Sequence, residues 1–315
     1  MTRPLRLVMT LALVLAAPLA AAQAAAPATD LGLWRLYDDS LRQAKYIDLT
    51  HAFSPRQPVW PGFAPATFRP AVAGKDLPGY AKAGEAFRYD KHGFVATAYT
   101  LTTDQYGTQL DPPAHWNPKG ATISDLPPTY TVRPLVVIDV HAKVAQDPGY
   151  HASVADIQAW EARHGPVPAG AVVMIRSDWY KRWDQPQRFV DKPFPGITLD
   201  ALKYLHLQRH ILFHGHEPLD TDATETLEGE HWLLHHNFAQ AEGVAHLDQV
   251  PEAGALIALG FAKPEGGTGG FARYIAIAPA SWPHGVSVDQ VPGAPLPEQS
   301  APLRRDADGV LRVPR

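Results

Sequence analysis

The chain has 315 residues, with 28 Lys and Arg against 32 Asp and Glu, a formal net charge of −4, and no cysteine. The near balance of charge, without a basic stripe, argues against nucleic-acid binding. The lack of cysteine excludes disulfides, thiolate nucleophiles and zinc–thiolate sites.

Arg3 and Arg6 precede an apolar run over residues 7–17, then Pro18 and small residues up to Ala26. This is the pattern of a cleaved secretory signal over residues 1–26, and it predicts a periplasmic or secreted protein. The run is shorter than the roughly 20 residues a membrane-spanning helix needs, so no membrane attachment is expected after cleavage. Residues 27–290 are expected to form one domain, and residues 291–315 an extended polar tail.

Leu33, Leu36, Tyr37 and Leu41 recur at near-helical spacing and predict an amphipathic helix over residues 30–45. A short strand follows over 46–51, then a long Pro- and Gly-rich loop over 54–80. The β-branched and aromatic run at 94–103 reads as a strand. Apolar runs at 135–140, 171–175, 211–213, 255–261 and 274–278 read as further strands. Ser153 is positioned to cap a helix to about residue 163, and Thr198 one to about residue 208. A third helix is expected over 230–239. The order is mixed α and β, without strict alternation or internal repeat.

The segment Gln105-Tyr-Gly-Thr-Gln109-Leu-Asp111-Pro-Pro-Ala-His115 concentrates the chemistry. Two carboxamides, a carboxylate and an imidazole fall within it. Oxygen and nitrogen donors so spaced can converge on a divalent cation, and a nearby His can move protons. Gly107 permits a tight turn, and Pro112-Pro113 ends regular structure after the carboxylate. A second concentration is histidine: His206, His210, His214, His216, His231, His235, His236 and His246. If residues 230–239 are helical, His231 and His235 share a face. Two other patterns lead nowhere. Gly266-Gly-Thr-Gly-Gly270 lacks the ending of a phosphate loop and the spacing of a dinucleotide fold. No G-x-S-x-G elbow is present, which argues against a serine α/β-hydrolase.

The 105–115 segment resembles the signature of the cyclase family of metal-dependent hydrolases, which includes bacterial kynurenine formamidases and isatin hydrolases. That signature runs His-x-Gly-Thr-His-x-Asp-x-Pro-x-His; Gly107, Thr108, Asp111, Pro113 and His115 stand in register with it. Ile47-Asp-Leu-Thr-His51, Trp60-Pro-Gly62, Arg176-Ser-Asp-Trp179, Pro195-Gly196 and Gly266-Gly-Thr-Gly-Gly-Phe-Ala-Arg273 extend the resemblance over most of the chain. The two signature histidines ahead of Asp111 are Gln105 and Gln109 here. A branch with this double-Gln pattern looks like the trans-dienelactone hydrolase group.

The resemblance implies an α/β fold, a single domain of the swivelling β/β/α type, and homo-oligomers. It implies a divalent metal, Mn(II) or Zn(II), held by Gln105, Gln109, Asp111, His231 and Glu242, with His115 as the catalytic proton carrier. Trp60, His216 and Glu217 are implied near the substrate. The implied activity is water attack on a small lactone, cyclic amide or N-formyl substrate. An arylformamidase, or an inactive periplasmic binding protein on the same fold, are the alternatives. Carboxamide oxygens are neutral, hard ligands, which suits manganese better than zinc.

Overall fold

The computed structural model describes residues 32–79, 82–288 and 293–314. The signal-like segment at 1–26 lies outside the described residues. Among the described residues, no helix is long and apolar enough to cross a membrane.

Eight strands form the main sheet: β1 (Lys45–Asp48), β2 (Gln109–Asp111), β3 (Val132–Asp139), β4 (Val172–Arg176), β5 (Phe213–His216), β6 (Gln240–Glu242), β7 (Ala255–Phe261) and β8 (Gly270–Ala278). Their order is β1-β8-β7-β3-β4-β5-β6-β2, and β2 also pairs with β8. Seven strands therefore close into a barrel, with β1 added outside. The run β3-β4-β5-β6 is parallel, and the other pairings are antiparallel.

Alternation of side chains along a strand decides what each face does. Leu135 and Val137 of β3, Val172 and Met174 of β4, Phe213 of β5, Ala241 of β6 and Leu110 of β2 fill the barrel. Val136, Ile138, Val173 and Ile175 point outward, against helices. These are α1 (Val154–His164) and α2 (Leu199–Lys203), the second continuing as a π-helical turn over Tyr204–Gln208. Ser153 and Asp156 form a reciprocal capping box at the start of α1, and Thr198 accepts a hydrogen bond from the Ala201 amide at 3.2 Å.

On β5, β6 and β2 the same alternation turns polar residues outward. His214 and His216, Gln240 and Glu242, and Gln109 and Asp111 share one outer face, with Gln240 opposite both His214 and Asp111, and Glu242 opposite Gln109. Helix α3 (Glu228–His235) packs on the turn after β2 and brings Glu230 to the same cavity as Gln109 and Glu242.

Three local expectations are corrected. The strand expected over 94–103 is confined to Thr97–Thr100 and pairs with Thr67–Pro70 in a separate two-stranded sheet. The loop at 54–80 thus contains a strand, and the 105–115 segment enters the barrel through its own strand, β2. The tail is not simply extended. Arg304–Arg305 and Leu311–Arg312 form a hairpin, and Arg305 donates to the Ala96 carbonyl at 2.8 Å and Thr97 Oγ1 at 2.9 Å. The helix expected over 230–239 ends at His235.

Candidate active site

The β2 strand is pinned on both sides. Thr108 Oγ1 donates to the Gly243 carbonyl at 2.6 Å and accepts from the His51 amide at 2.9 Å. Tyr274 donates its hydroxyl to the Gln109 carbonyl at 2.8 Å from inside the barrel. Gly243 has φ +59°, and a Cβ there would lie 2.5 Å from the Gly107 carbonyl oxygen. Only glycine lets the turn after β6 approach the turn before β2 so closely.

The floor joins acids and amides. Gln109 Nε2 donates to Glu242 at 2.9 Å and to the two Asp111 oxygens at 3.1 and 3.3 Å. Gln240 Nε2 donates to Glu242 at 2.8 Å and to Asp111 at 3.4 Å. All four side chains are buried. At one edge Gln105 Nε2 lies 2.6 Å from His115 Nδ1 and donates to the Thr268 carbonyl at 3.3 Å. Because the amide nitrogen faces Nδ1, the proton of neutral His115 sits on Nε2, 3.7 Å from Glu230 Oε1.

Above the floor is a cavity of about 290 Å³. Pro58, Val59, Trp60, Phe63, Trp116, Leu219 and Leu227 give apolar walls, while Gln105, Gln109, His115, Asp220, Glu230 and Glu242 give the polar surface. Trp60 stands at the mouth, 40% exposed, and its indole N–H donates to Asp220 at 3.1 Å.

Burial and mutual repulsion govern the acids. Asp111 is raised above the usual carboxylate range, chiefly by burial, with the nearby His115 and the amides acting in the other direction. Glu242 is pushed well up by burial and then by Asp111, Glu230 and Asp220. Glu230 is pushed well up by burial and then by Asp220, Asp111 and Asp222. Asp220 is pushed up to about 7 by burial, against the opposing effect of the Trp60 hydrogen bond. Such a concentration of perturbed acids in a cleft marks a functional site.

The structure brings together Gln105, Gln109, Asp111, His115 and Glu242, with Trp60 at the rim. His231 is different. It is exposed, stacks on His235 at 4.1 Å, and does not line the cavity. Glu230, one residue earlier, takes the inward direction, because it shares the buried face of α3 with Leu233 and Leu234. His216 lies behind the floor, Nε2 3.6 Å from Glu242 Oε1, and burial lowers it to about 3; it stays neutral.

Glu217 turns away from the cavity. Its carboxyl accepts from Ser177 Oγ at 2.9 Å and from the Tyr180 amide at 3.1 Å, so it braces the turn after β4. Burial pushes it up to about 8 from an ordinary value near 4.5. The fold therefore holds this proton more tightly than the unfolded chain does, and stability falls as pH rises from about 4.5 through about 8. Glu217→Gln is expected to melt with a smaller loss of Tm between about pH 6 and pH 9 than the wild type. Equal losses in thermal melts would place the alkaline sensitivity elsewhere.

Glu230 and Asp220, which line the cavity, and Gln240, which bonds the acids beneath it, are residues the sequence motifs did not single out. Leu233 and Leu234, three and four residues after Glu230, carried a signal for its facing. Gln240 could have been found from Glu242, since residues two apart on a strand share a face. Asp220 sits in a turn with no comparable signal.

A closed α/β barrel with an acid–amide floor on its outer face, under a short helix, defines a small-molecule enzyme-like class of site. Comparison with known proteins gives the family. The Cyclase family model matches residues 47–223, a span that includes the 105–115 segment and Asp220 but ends before Glu230 and Glu242. An isatin hydrolase of Roseibium aggregatum is 31% identical over 257 residues, 75% of this chain and 93% of that protein. Isatin hydrolase A from Ralstonia solanacearum superposes with TM-score 0.67 at 27% identity, covering 82% of this chain and all of the other. An isatin hydrolase bound to the product analogue thioisatinate gives TM-score 0.66 at 26% identity, over 78% of this chain and 95% of the other. The chain belongs to the cyclase family.

Proposed function

We propose that this protein is a divalent-metal-dependent hydrolase that opens a small lactone or cyclic amide. The observation that carries this is the buried floor, where the amide nitrogen of Gln109 lies between the carboxylates of Asp111 and Glu242. Without a cation, burial holds both acids toward their protonated forms; a divalent ion would let both ionise. Among the described residues, no three His, Asp or Glu side chains are grouped as a metal site. A cation here would be held by the carboxylates of Asp111 and Glu242, with Gln109 giving its carboxamide oxygen in place of the N–H that bonds both acids in this structure. That set fits a hard, oxygen-liganded ion such as Mn(II) better than Zn(II). Such an ion supplies Lewis acidity that polarises a carbonyl and acidifies water.

The remaining steps belong to side chains. Glu230, whose proton is held by burial and by its acidic neighbours, gives that proton to the leaving oxygen or nitrogen and is reprotonated from the next water to enter the site. His115 presents its Nε2 proton toward Glu230 and the cavity, where it orients that carboxyl and can bond the substrate's carbonyl oxygen. The walls of Trp60, Phe63 and Trp116 suit a flat ring, in keeping with the isatin hydrolase relatives. A carboxamide-flanked acid pair at the base of a cavity favours this reading over a passive binding role.

The test is hydrolysis of isatin and of simple aromatic lactones by the purified protein with added Mn(II) or Zn(II). Ring opening that is lost on chelation and restored best by Mn(II) is the expected result. Tight ligand binding without turnover under every metal condition would favour the non-catalytic alternative.

A further inference from the structure

We infer that residues 59–63 form a lid over the cavity and that Asp220 is its latch, a positioning residue that holds Trp60 across the mouth. The span supplies Val59, Trp60 and Phe63 to the cavity wall. Both of its ends are anchored. On one side Gln57 is buried and packs on Gly107, where a Cβ would come within 2.9 Å of its Oε1. On the other, the Ala64 carbonyl accepts from the Tyr106 hydroxyl at 2.5 Å and from Thr102 Oγ1 at 3.1 Å.

Between these anchors the Phe63 amide donates to the Trp60 carbonyl at 2.9 Å, which closes a turn inside the span itself. Among the described residues, one hydrogen bond ties the span to the rest of the fold. It is the Trp60 indole N–H on Asp220 Oδ1, 3.1 Å long and 160 positions apart in sequence. Gly62 sets where the ring can lie: a Cβ there would fall 1.8 Å from Trp60 Cζ3, so the indole folds back over a residue whose lack of a side chain makes room for it. The tip, Trp60-Pro61, faces Phe189, Val190 and Phe194 across a crevice of only about 10 Å³, so the structure shows the lid seated.

The latch does not depend on charge, because a carboxyl oxygen accepts from an indole N–H whether or not the acid is ionised. With the bond made, Trp60 and Phe63 cover a bound ring and keep bulk water from the buried acids. With it broken, the span swings on its anchored ends, and substrate and product pass. This part in turnover rests on the hydrolase reading above, whereas the latch itself rests on the geometry of the span.

The chain has no cysteine, so Pro61→Cys, at the exposed tip, takes a single small fluorophore whose anisotropy decay reads the motion of the lid. Asp220→Leu is expected to speed that motion several-fold. Asp220→Asn, whose amide oxygen still accepts, is expected to leave it as in the wild type. In the unlabelled, Mn(II)-loaded protein, Asp220→Leu should raise the KM for isatin about tenfold, the worth of one such hydrogen bond, with kcat within a few-fold. Gly62→Ala gives a second route should Asp220→Leu not fold: its methyl drives the indole off Asp220 while leaving the carboxyl in place, and it should match Asp220→Leu in both readings. Lid motion that is unchanged in both variants, or freed equally by Asp220→Asn, overturns the latch and leaves the hydrolase reading standing. Freed motion with an unchanged KM overturns the lid's part in holding substrate. If the wild type turns over no isatin under any metal condition, the hydrolase reading falls, and the anisotropy alone decides the latch.

Discussion

Asp111→Asn is expected to lower kcat/KM by about a thousandfold and to release the divalent ion. The figure follows from losing several kcal/mol of Lewis-acid stabilisation, with each 1.36 kcal/mol worth a factor of ten. The replacement is nearly isosteric, and the Gln109 and Gln240 amides that bond Asp111 would still find an oxygen. Folding should therefore survive, and burial of one less acid should raise Tm rather than lower it. Steady-state kinetics together with a thermal melt separate these effects. A variant that melts higher, binds no metal and is inactive fits the account. One that retains most of its activity would remove Asp111 from the metal-holding role.

The second large effect concerns which residue of α3 serves the site. Glu230→Gln is expected to cost between about a hundredfold and ten-thousandfold in kcat, the usual worth of a positioned proton carrier. His231→Ala should stay within a few-fold of wild type, because His231 is exposed and its ring contacts are Trp116 and His235. The reverse pattern, with His231→Ala inactive and Glu230→Gln active, would require the helix to be turned by one residue from the orientation described above.

The contrast between these neighbours shows where sequence was informative. The motif at 105–115 located Gln105, Gln109, Asp111 and His115, because a strand and the short turn after it keep close residues close in space. Apolar alternation located the inner strands, and Ser153 and Thr198 announced their helices, since caps and strand faces are local properties. The ring closure was not legible. It depends on β2, three residues long with two of them polar, bonding to β6 and β8 more than 125 residues away, and nothing local specifies such a pairing.

Glu230 illustrates a different failure. Motif transfer fixes a residue's neighbourhood along the chain, but in a helix one step turns a side chain by about 100°. The burial of Leu233 and Leu234 turns Glu230, and not His231, toward the cavity. Glu217 failed for the analogous reason on a strand end: His216 faces Glu242, whereas the next residue points to Ser177 and Tyr180.

The double Gln also becomes interpretable. In place of imidazole nitrogens, the floor offers two carboxamides, and the structure uses each differently. Gln109 lies within the acid pair, while Gln105 faces His115 and fixes where its proton resides. The two glutamines thus set amide N–H groups against the acids and against His115.

The central claim is that the Asp111–Gln109–Glu242 floor holds a divalent ion that drives ring opening. Titration of the metal-free protein with Mn(II), following bound metal and isatin hydrolysis in the same samples, tests it most directly. The account requires one saturable ion per chain, with activity rising in proportion to occupancy and Zn(II) binding more weakly. No binding at millimolar Mn(II), or binding that leaves hydrolysis unchanged, would contradict it and make the floor a self-contained hydrogen-bonded cluster.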